Sequence, residues 1–289
     1  MKNNQLSKLL NENKSIVVPG GGTAIELRLA EIAGFKAGYV SGYATAAAVF
    51  GVPDVGLIAY KEMLENFNAI RLSTKIPLIV DCDTGYGDIA NVIRTVSGFE
   101  NAGACAVQLE DQKWPKKCGH MEGKVIEPID IAVDKIKAAV EARQNPDFKI
   151  IARTDARSPY DFKTAMKRLE AYKEAGADVL FMDAIETEEE MKQQVTLLPG
   201  PHMVNMSETG KTPLMSSEKL EEIGFNIIIF PSSMIRIMTK QLSNFLKELR
   251  KTGDSRNWLD RMASLDETNG ALGLPELNKV SEKILNRPK

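Results

Sequence analysis

Four times along the chain a glycine closes one pattern and opens another. The segments EIAGFKAGYVS, ENAGACAVQLE, KEAGADVLFMD and EEIGFNIIIFP align on Gly34, Gly103, Gly176 and Gly224. Each reads as a helix end, a glycine free to take the left-handed cap conformation, and an apolar strand. The seventh residue after each glycine is Ser41, Glu110, Asp183 or Pro231, which places these four at equivalent strand ends. Four more short apolar runs, 15–19, 76–83, 149–154 and 202–205, fall between them, each followed by a helical pattern. In 128–143, Ile129, Val133, Ile136 and Val140 recur at the spacing of a helix packed on a sheet. Eight strand–helix alternations, in a chain near the ~250 residues typical of the architecture, predict an α/β fold of the (β/α)8 TIM-barrel type. A doubly wound open sheet is the alternative reading. Residues 1–289 read as one barrel domain, with 252–289 as a C-terminal helical extension whose NWLDRMASL and ELNKVSEKIL suit extra helices at a subunit contact.

Composition excludes several functions. A formal net charge of -2 gives no field to attract nucleic acid or an anionic membrane, so a small-molecule partner is expected. Three cysteines, Cys82, Cys105 and Cys118, form no CxxC pair and suit no disulfide framework, which points to a reducing cytoplasm. The first residues, MKNNQLSKLLNENK, lack the apolar core of a signal peptide, and no run approaches the ~18 apolar residues of a membrane span. Gly20 to Gly22 fit neither phosphate-loop pattern and read as a tight turn. Trp114 and Trp258 read as packing residues and His202 as structural.

In a barrel the chemistry gathers at the carboxyl ends of the strands. Those ends carry Gly20 to Gly22; Ser41, Gly42 and Tyr43; Asp81 and Asp83; Glu110; Arg153 and Asp155; Asp183; Asn205, Ser207 and Glu208; and Pro231 to Ser233. An apolar strand running into Asp-Cys-Asp aims both carboxylates at one face, because alternate residues share a face. Converging buried carboxylates need cations or protons. Magnesium answers that need, since it prefers oxygen and takes only one or two carboxylates directly. Asp81 and Asp83 are the expected nearest ligands, with Asp54 and Glu110 holding the metal's waters. Manganese is a plausible substitute; zinc lacks its usual Cys and His spacings. The competing reading makes DCDTGYG only a polar strand end and turn.

DCDTGYG, LEDQ, KKCGH, IARTDA and NMSETGKTP, in this order and spacing, resemble the isocitrate lyase and phosphoenolpyruvate mutase superfamily, with KKCGH pointing to its lyase branch. The likeness runs from about Ser15 to about Leu246. It implies a magnesium-dependent carbon–carbon lyase with Asp81 and Asp83 at the metal and Asp54 and Glu110 around its waters. Ser41, Gly42 and Tyr43 match the loop that holds the pyruvate-like part of the substrate. Arg153 matches a carboxylate-binding arginine, and Cys118 with Gly119 and His120 the catalytic lid. Asn205, Met206, Ser207 and Arg236 fall where further substrate contacts are placed. Asp183 stands where the family commonly has glutamate and would reach less far. The resemblance further implies a homo-oligomer, a dimer or homotetramer that exchanges a C-terminal helix.

Cleavage of a 2-hydroxy diacid removes the hydroxyl proton, releases pyruvate, and leaves an enediolate whose carbon must be protonated. Cys118 is the expected proton donor, with Lys116 and Lys117 assisting it or binding the enediolate; the same lysines would also favour a nucleophilic thiolate. Candidate bases are Tyr39, Tyr43 or a carboxylate acting through metal-bound water. The polar stretch 112–125 reads as a lid that excludes water. After Cys-Gly-His come Met121 and Glu122; the acid would repel a third carboxylate and the thioether would suit a methyl group. The expected substrate is therefore 2,3-dimethylmalate, with 2-methylisocitrate second and hydrolysis of oxaloacetate third.

Overall fold

The computed structural model describes residues 4–12, 14–119 and 121–285. Eight parallel strands, β1 (Ile16–Gly21), β2 (Gly38–Val40), β3 (Leu78–Asp81), β4 (Ala106–Glu110), β5 (Lys149–Thr154), β6 (Val179–Met182), β7 (His202–Asn205) and β8 (Ile227–Phe230), each pair with the next. β8 closes on β1 through Ile16 opposite Ile227 to Pro19 opposite Phe230. The sheet is a closed barrel ringed by helices, and the open-sheet alternative falls away.

The repeated glycines explain every second strand. Gly34, Gly103, Gly176 and Gly224 have φ of 90, 94, 99 and 111°, a region costly for any residue with a Cβ. The amide after each reaches the carbonyl five residues back at 3.0–3.1 Å: Phe35 to Ala30, Ala104 to Phe99, Ala177 to Tyr172 and Phe225 to Leu220. This closure ends the helix and turns the chain into β2, β4, β6 or β8.

Strand parity divides two cores. Ile79, Ala106, Ile151, Phe181 and Met203 share one buried cluster, which fills the barrel. Their neighbours Val80, Val107, Ala152, Leu180 and Val204 belong to the second, between strands and helices. The inward parity continues upward as Asp81, Gln108 and Glu110, Arg153, Asp183, and Asn205 with Ser207. Leu6, fully buried on the helix Gln5–Asn11, joins the inner cluster, an element the sequence reading did not anticipate.

Residues up to Ile235 form one compact unit and those from Arg236 onward a second. Within the second unit Trp258 donates to Glu248 at 2.8 Å and meets the Phe245 ring edge-on at 5.5 Å between centroids, a packing role. The extra helices Leu265–Ala271 and Leu274–Leu285 follow. Among the described residues no helix is long and apolar enough to cross a membrane.

Candidate active site

The inward-facing acids form two groups at the barrel mouth. On the β3–β4 side, Asp81 accepts from Gly42 N at 3.3 Å, from Asp83 N at 3.3 Å and from Gln108 Nε2 at 3.2 Å. Asp83 Oδ1 lies 2.9 Å from Lys116 Nζ, in ion contact but outside hydrogen-bond alignment, and Lys116 also donates to Asp54. Glu110 is buried with Oε1 unpartnered and Oε2 3.5 Å from Arg153. Burial and then the neighbouring acids Asp81 and Asp54 push the Asp83 carboxyl up to about 7 against the pull of Lys116. Burial likewise pushes Glu110 well above the usual carboxylate range, with Arg153 opposing. Desolvation would lower the Lys116 ammonium, yet Asp83, Asp54 and Glu110 outweigh it and hold the pKa well above its ordinary value.

On the β5–β6 side, Arg153 donates to both oxygens of Asp155, at 2.9 and 2.8 Å, and stands 3.2 Å from Asp183 Oδ2. Asp183 Oδ1 accepts from Asn205 at 3.1 Å, and Ser207 Oγ meets Ser232 Oγ at 3.3 Å. Burial opposes the Asp155 charge, but Arg153 and Lys124 hold its carboxyl far below the usual range. Beneath this pair, Asp111 accepts from Asp155 N at 2.8 Å, Thr154 Oγ1 at 2.6 Å, Arg168 at 3.1 Å and Tyr172 at 2.7 Å, which fixes the strand end that carries Arg153.

Ser41 caps the short helix Gly42–Thr45, its Oγ accepting from Ala44 N at 3.2 Å. A Cβ on Gly42 would come within 3.1 Å of Asp81 Oδ2, so glycine lets this turn approach the acids. Tyr43 beside it is 37% exposed.

The loop, residues 112–119 and 121–126, reaches both groups, through Lys116 on one side and Gly119 and Lys124 on the other. Its stem is closed by Lys113 N donating to Val125 O at 2.7 Å and a bridge between Gln112 and Ile126. The Gln112 amide pairs with both Lys117 N at 2.9 Å and Lys117 O at 2.8 Å, the two groups just before Cys118. A Cβ on Gly119 would fall 2.1 Å from Asp183 Oδ2 and 2.4 Å from Arg153 Nη2, so the lid rests directly on that pair and only glycine fits.

Several expectations change in detail. Lys116 directs its ammonium to Asp54 and Asp83, and Lys117 Nζ reaches Glu122 O at 3.3 Å. Tyr39 is a poor base: its hydroxyl donates to Gln108 Oε1 at 2.9 Å, and burial with the Asp81 charge pushes its pKa well up. It supports Gln108 and through it Asp81. Met206 has the outward parity and packs fully buried between barrel and helices, so its side chain does not face the mouth. Arg236 belongs to the second unit. His120 lies outside the described residues. The sequence reading missed Gln108 and Lys124. Gln108 had a legible signal, a polar residue at inward parity in AVQLE; a lysine buried by the fold leaves none.

Among the described residues no three His, Cys, Asp or Glu side chains stand as a ready-made metal cage. Magnesium asks for less, one or two carboxylates with waters filling the rest. The all-oxygen donor set of Asp81 and Asp83, the buried unpartnered Glu110 Oε1 and the excess of acids over cations fit that ion.

A (β/α)8 barrel with acids at the strand ends under a cysteine-bearing lid defines a class of enzyme, and the comparisons agree. Residues 6–250 match the phosphoenolpyruvate phosphomutase family model, and the chain belongs to this family. It is 42% identical over 276 residues to 2,3-dimethylmalate lyase of Eubacterium barkeri, covering 96% of each chain. It is 38% identical to 2-methylisocitrate lyase of Aeropyrum pernix, over 96% of this chain and 90% of the other. A crystal structure of 2,3-dimethylmalate lyase, described as a PEP mutase/isocitrate lyase superfamily member, superposes with TM-score 0.92 at 35% identity, covering 98% and 96%. An oxaloacetate acetylhydrolase in complex with 3,3-difluorooxalacetate gives 0.93 at 31%, covering 99% and 97%. The chain is an enzyme of the lyase kind within this superfamily.

Proposed function

We propose that this enzyme cleaves a carbon–carbon bond of a 2-hydroxy dicarboxylate, 2,3-dimethylmalate in first place, to pyruvate and propionate. The observation that carries the reading is the lid: Gly119 rests on Arg153 and Asp183, Gln112 holds the peptide just before Cys118, and Lys116 reaches Asp54 and Asp83, a set that suits a hydroxy acid. The 42% identity to 2,3-dimethylmalate lyase supports the choice of substrate.

Asp81 and Asp83 would hold magnesium, with Asp54 and Glu110 around its waters. Bound there, the ion would supply positive charge where the substrate's oxygens become negative. Arg153 binds a substrate carboxylate, and the turn at Ser41 to Tyr43 offers backbone amides to the pyruvate-like end. Asp183, shorter than glutamate, is already engaged by Asn205 and Arg153 and serves to orient them. Tyr43, or a carboxylate through water, takes the hydroxyl proton. Cys118 gives its thiol proton to the carbon of the departing enediolate, and the closed lid keeps water from competing.

Met121 is 46% exposed on the lid and Glu122 is exposed beside it, so neither side chain is committed to the core and both are free to offer apolar surface and a negative charge to a substrate. That combination favours a methylated dicarboxylate over a tricarboxylate such as 2-methylisocitrate. Hydrolysis of oxaloacetate would need a positioned water under the same lid. The oligomer is proposed on Leu274, Leu277, Val280 and Ile284, exposed along one helix at spacings that suit a second copy.

The test is to supply magnesium with 2,3-dimethylmalate, 2-methylisocitrate, oxaloacetate and phosphoenolpyruvate in parallel, measuring pyruvate, propionate, succinate and oxalate. Dimethylmalate should turn over fastest. Faster turnover of methylisocitrate would overturn the substrate choice, and oxalate from oxaloacetate as the main product would make the enzyme a hydrolase.

A further inference from the structure

Lys124 sits on the returning limb of the lid, 6% exposed, and none of the roles above uses it. Its Nζ lies 2.9 Å from Asp155 Oδ1 and 3.9 Å from Asp183 Oδ2, and it donates to the carbonyl of Gly119, next to Cys118. The same two carboxylates flank Arg153. One buried ammonium therefore ties the tip of the lid to the ends of β5 and β6.

An ammonium is stable out of water only where new partners replace the water it has lost. Here two carboxylates and a carbonyl do so, and both carboxylates lie outside the lid, at the ends of β5 and β6. Charge leads to the same place. Asp155 and Asp183 bring two negative charges against Arg153 alone, and Glu110 stands 3.5 Å away as well. With no second cation, Arg153 would be over-neutralised by its own neighbours and would hold a substrate carboxylate weakly. Lys124 supplies that cation.

We infer that Lys124 is a positioning residue that latches the lid onto Asp155 and Asp183 and, by sharing those carboxylates, leaves Arg153 with charge for the substrate. The latch stands on geometry alone; the second part rests on the proposed role of Arg153.

Cys118 can report the latch, because Cys82 and Cys105 are fully buried. In the full chain without substrate, Lys124→Met should raise the rate of Cys118 alkylation by iodoacetamide about tenfold, the worth of a charge-assisted hydrogen bond. Lys124→Arg, which keeps the cation, should stay near the parent rate. An unchanged rate in Lys124→Met overturns the latch. Should that variant fail to fold, Lys124→Gln alkylated faster than Lys124→Arg supports it, and equal rates overturn it. With the dicarboxylate, KM should rise in the neutral variants and recover in Lys124→Arg; no rise in KM overturns the charge-sharing part. Alkylation needs no turnover, so an inactive parent enzyme would defeat the proposed function while the latch is still decided.

Discussion

The two halves of the barrel mouth are each served by one lysine from the same lid, yet their charge balance differs. At β5 and β6, Arg153 and Lys124 face Asp155 and Asp183, cation for anion, at 2.8 to 3.9 Å. At β3 and β4, Lys116 stands among Asp54, Asp81, Asp83 and Glu110, with Arg153 touching only Glu110 at 3.5 Å, and Glu110 Oε1 has no hydrogen-bond partner. Paired charge gives the lid a platform to rest on in the first half, where Gly119 lies against Arg153 and Asp183. The surplus of acids makes the second the half that would suit the proposed metal ion. Along the lid Cys118 falls between Lys116, which reaches one half, and Lys124, which reaches the other.

The sharpest way to break this picture is Cys118→Ser. Loss of the proton donor should lower kcat by about 10²- to 10⁴-fold while leaving both halves intact, so magnesium binding measured by calorimetry should not change. Near-normal turnover would remove the thiol from the reaction. Next comes the platform: Arg153→Leu leaves Asp155 and Asp183 buried with one cation fewer. It should cost about 3–5 kcal/mol in denaturant unfolding, besides abolishing saturation by the dicarboxylate. A neutral effect on stability would mean the pairing is not what holds this half together. For the metal half, Gln108→Leu removes the amide that orients Asp81, and magnesium affinity should fall roughly 10- to 100-fold, the usual scale for such support. Unchanged affinity would detach Gln108 and Tyr39 from the metal.

The smallest expected effect is a pH dependence confined to the platform. Asp155 has a folded pKa held below its unfolded value, near 3.9, by Arg153 and Lys124. A depressed carboxyl contributes stability that is fully present above the unfolded pKa and is lost as pH falls through the folded one. The Tm advantage of the parent over Asp155→Asn should thus be constant from pH 7 to about 5 and shrink below about 4. An advantage that persists at the acid end would contradict the assignment.

How far the sequence foretold this site depends on which force places each residue. The four cap glycines fixed the ends of β2, β4, β6 and β8 because a positive φ is a local demand that only a few residues meet. Strand alternation then aimed Asp81, Glu110, Arg153 and Asp183 inward and also sent Met206 outward, a consequence the family likeness obscured. His202 was legible as structural, and its ring is indeed held between Gln194 and Leu198 O. Pairing across the mouth was not legible. That Lys116 would leave the thiol for Asp54 and Asp83, or that Lys124 would be buried against Asp155, depends on contacts between segments 31 to 62 residues apart, which no local pattern encodes. Leu6 escaped notice for the same reason, since a short polar helix gains its place only by plugging a barrel that forms elsewhere.

Release of pyruvate and propionate from 2,3-dimethylmalate tests most directly whether the cation-poor half holds a metal needed for carbon–carbon cleavage. With magnesium the two products should appear in equal amounts, stop when a chelator is added and resume when magnesium or manganese is restored. Turnover that continues under excess chelator, or no pyruvate from any 2-hydroxy dicarboxylate, would contradict the account.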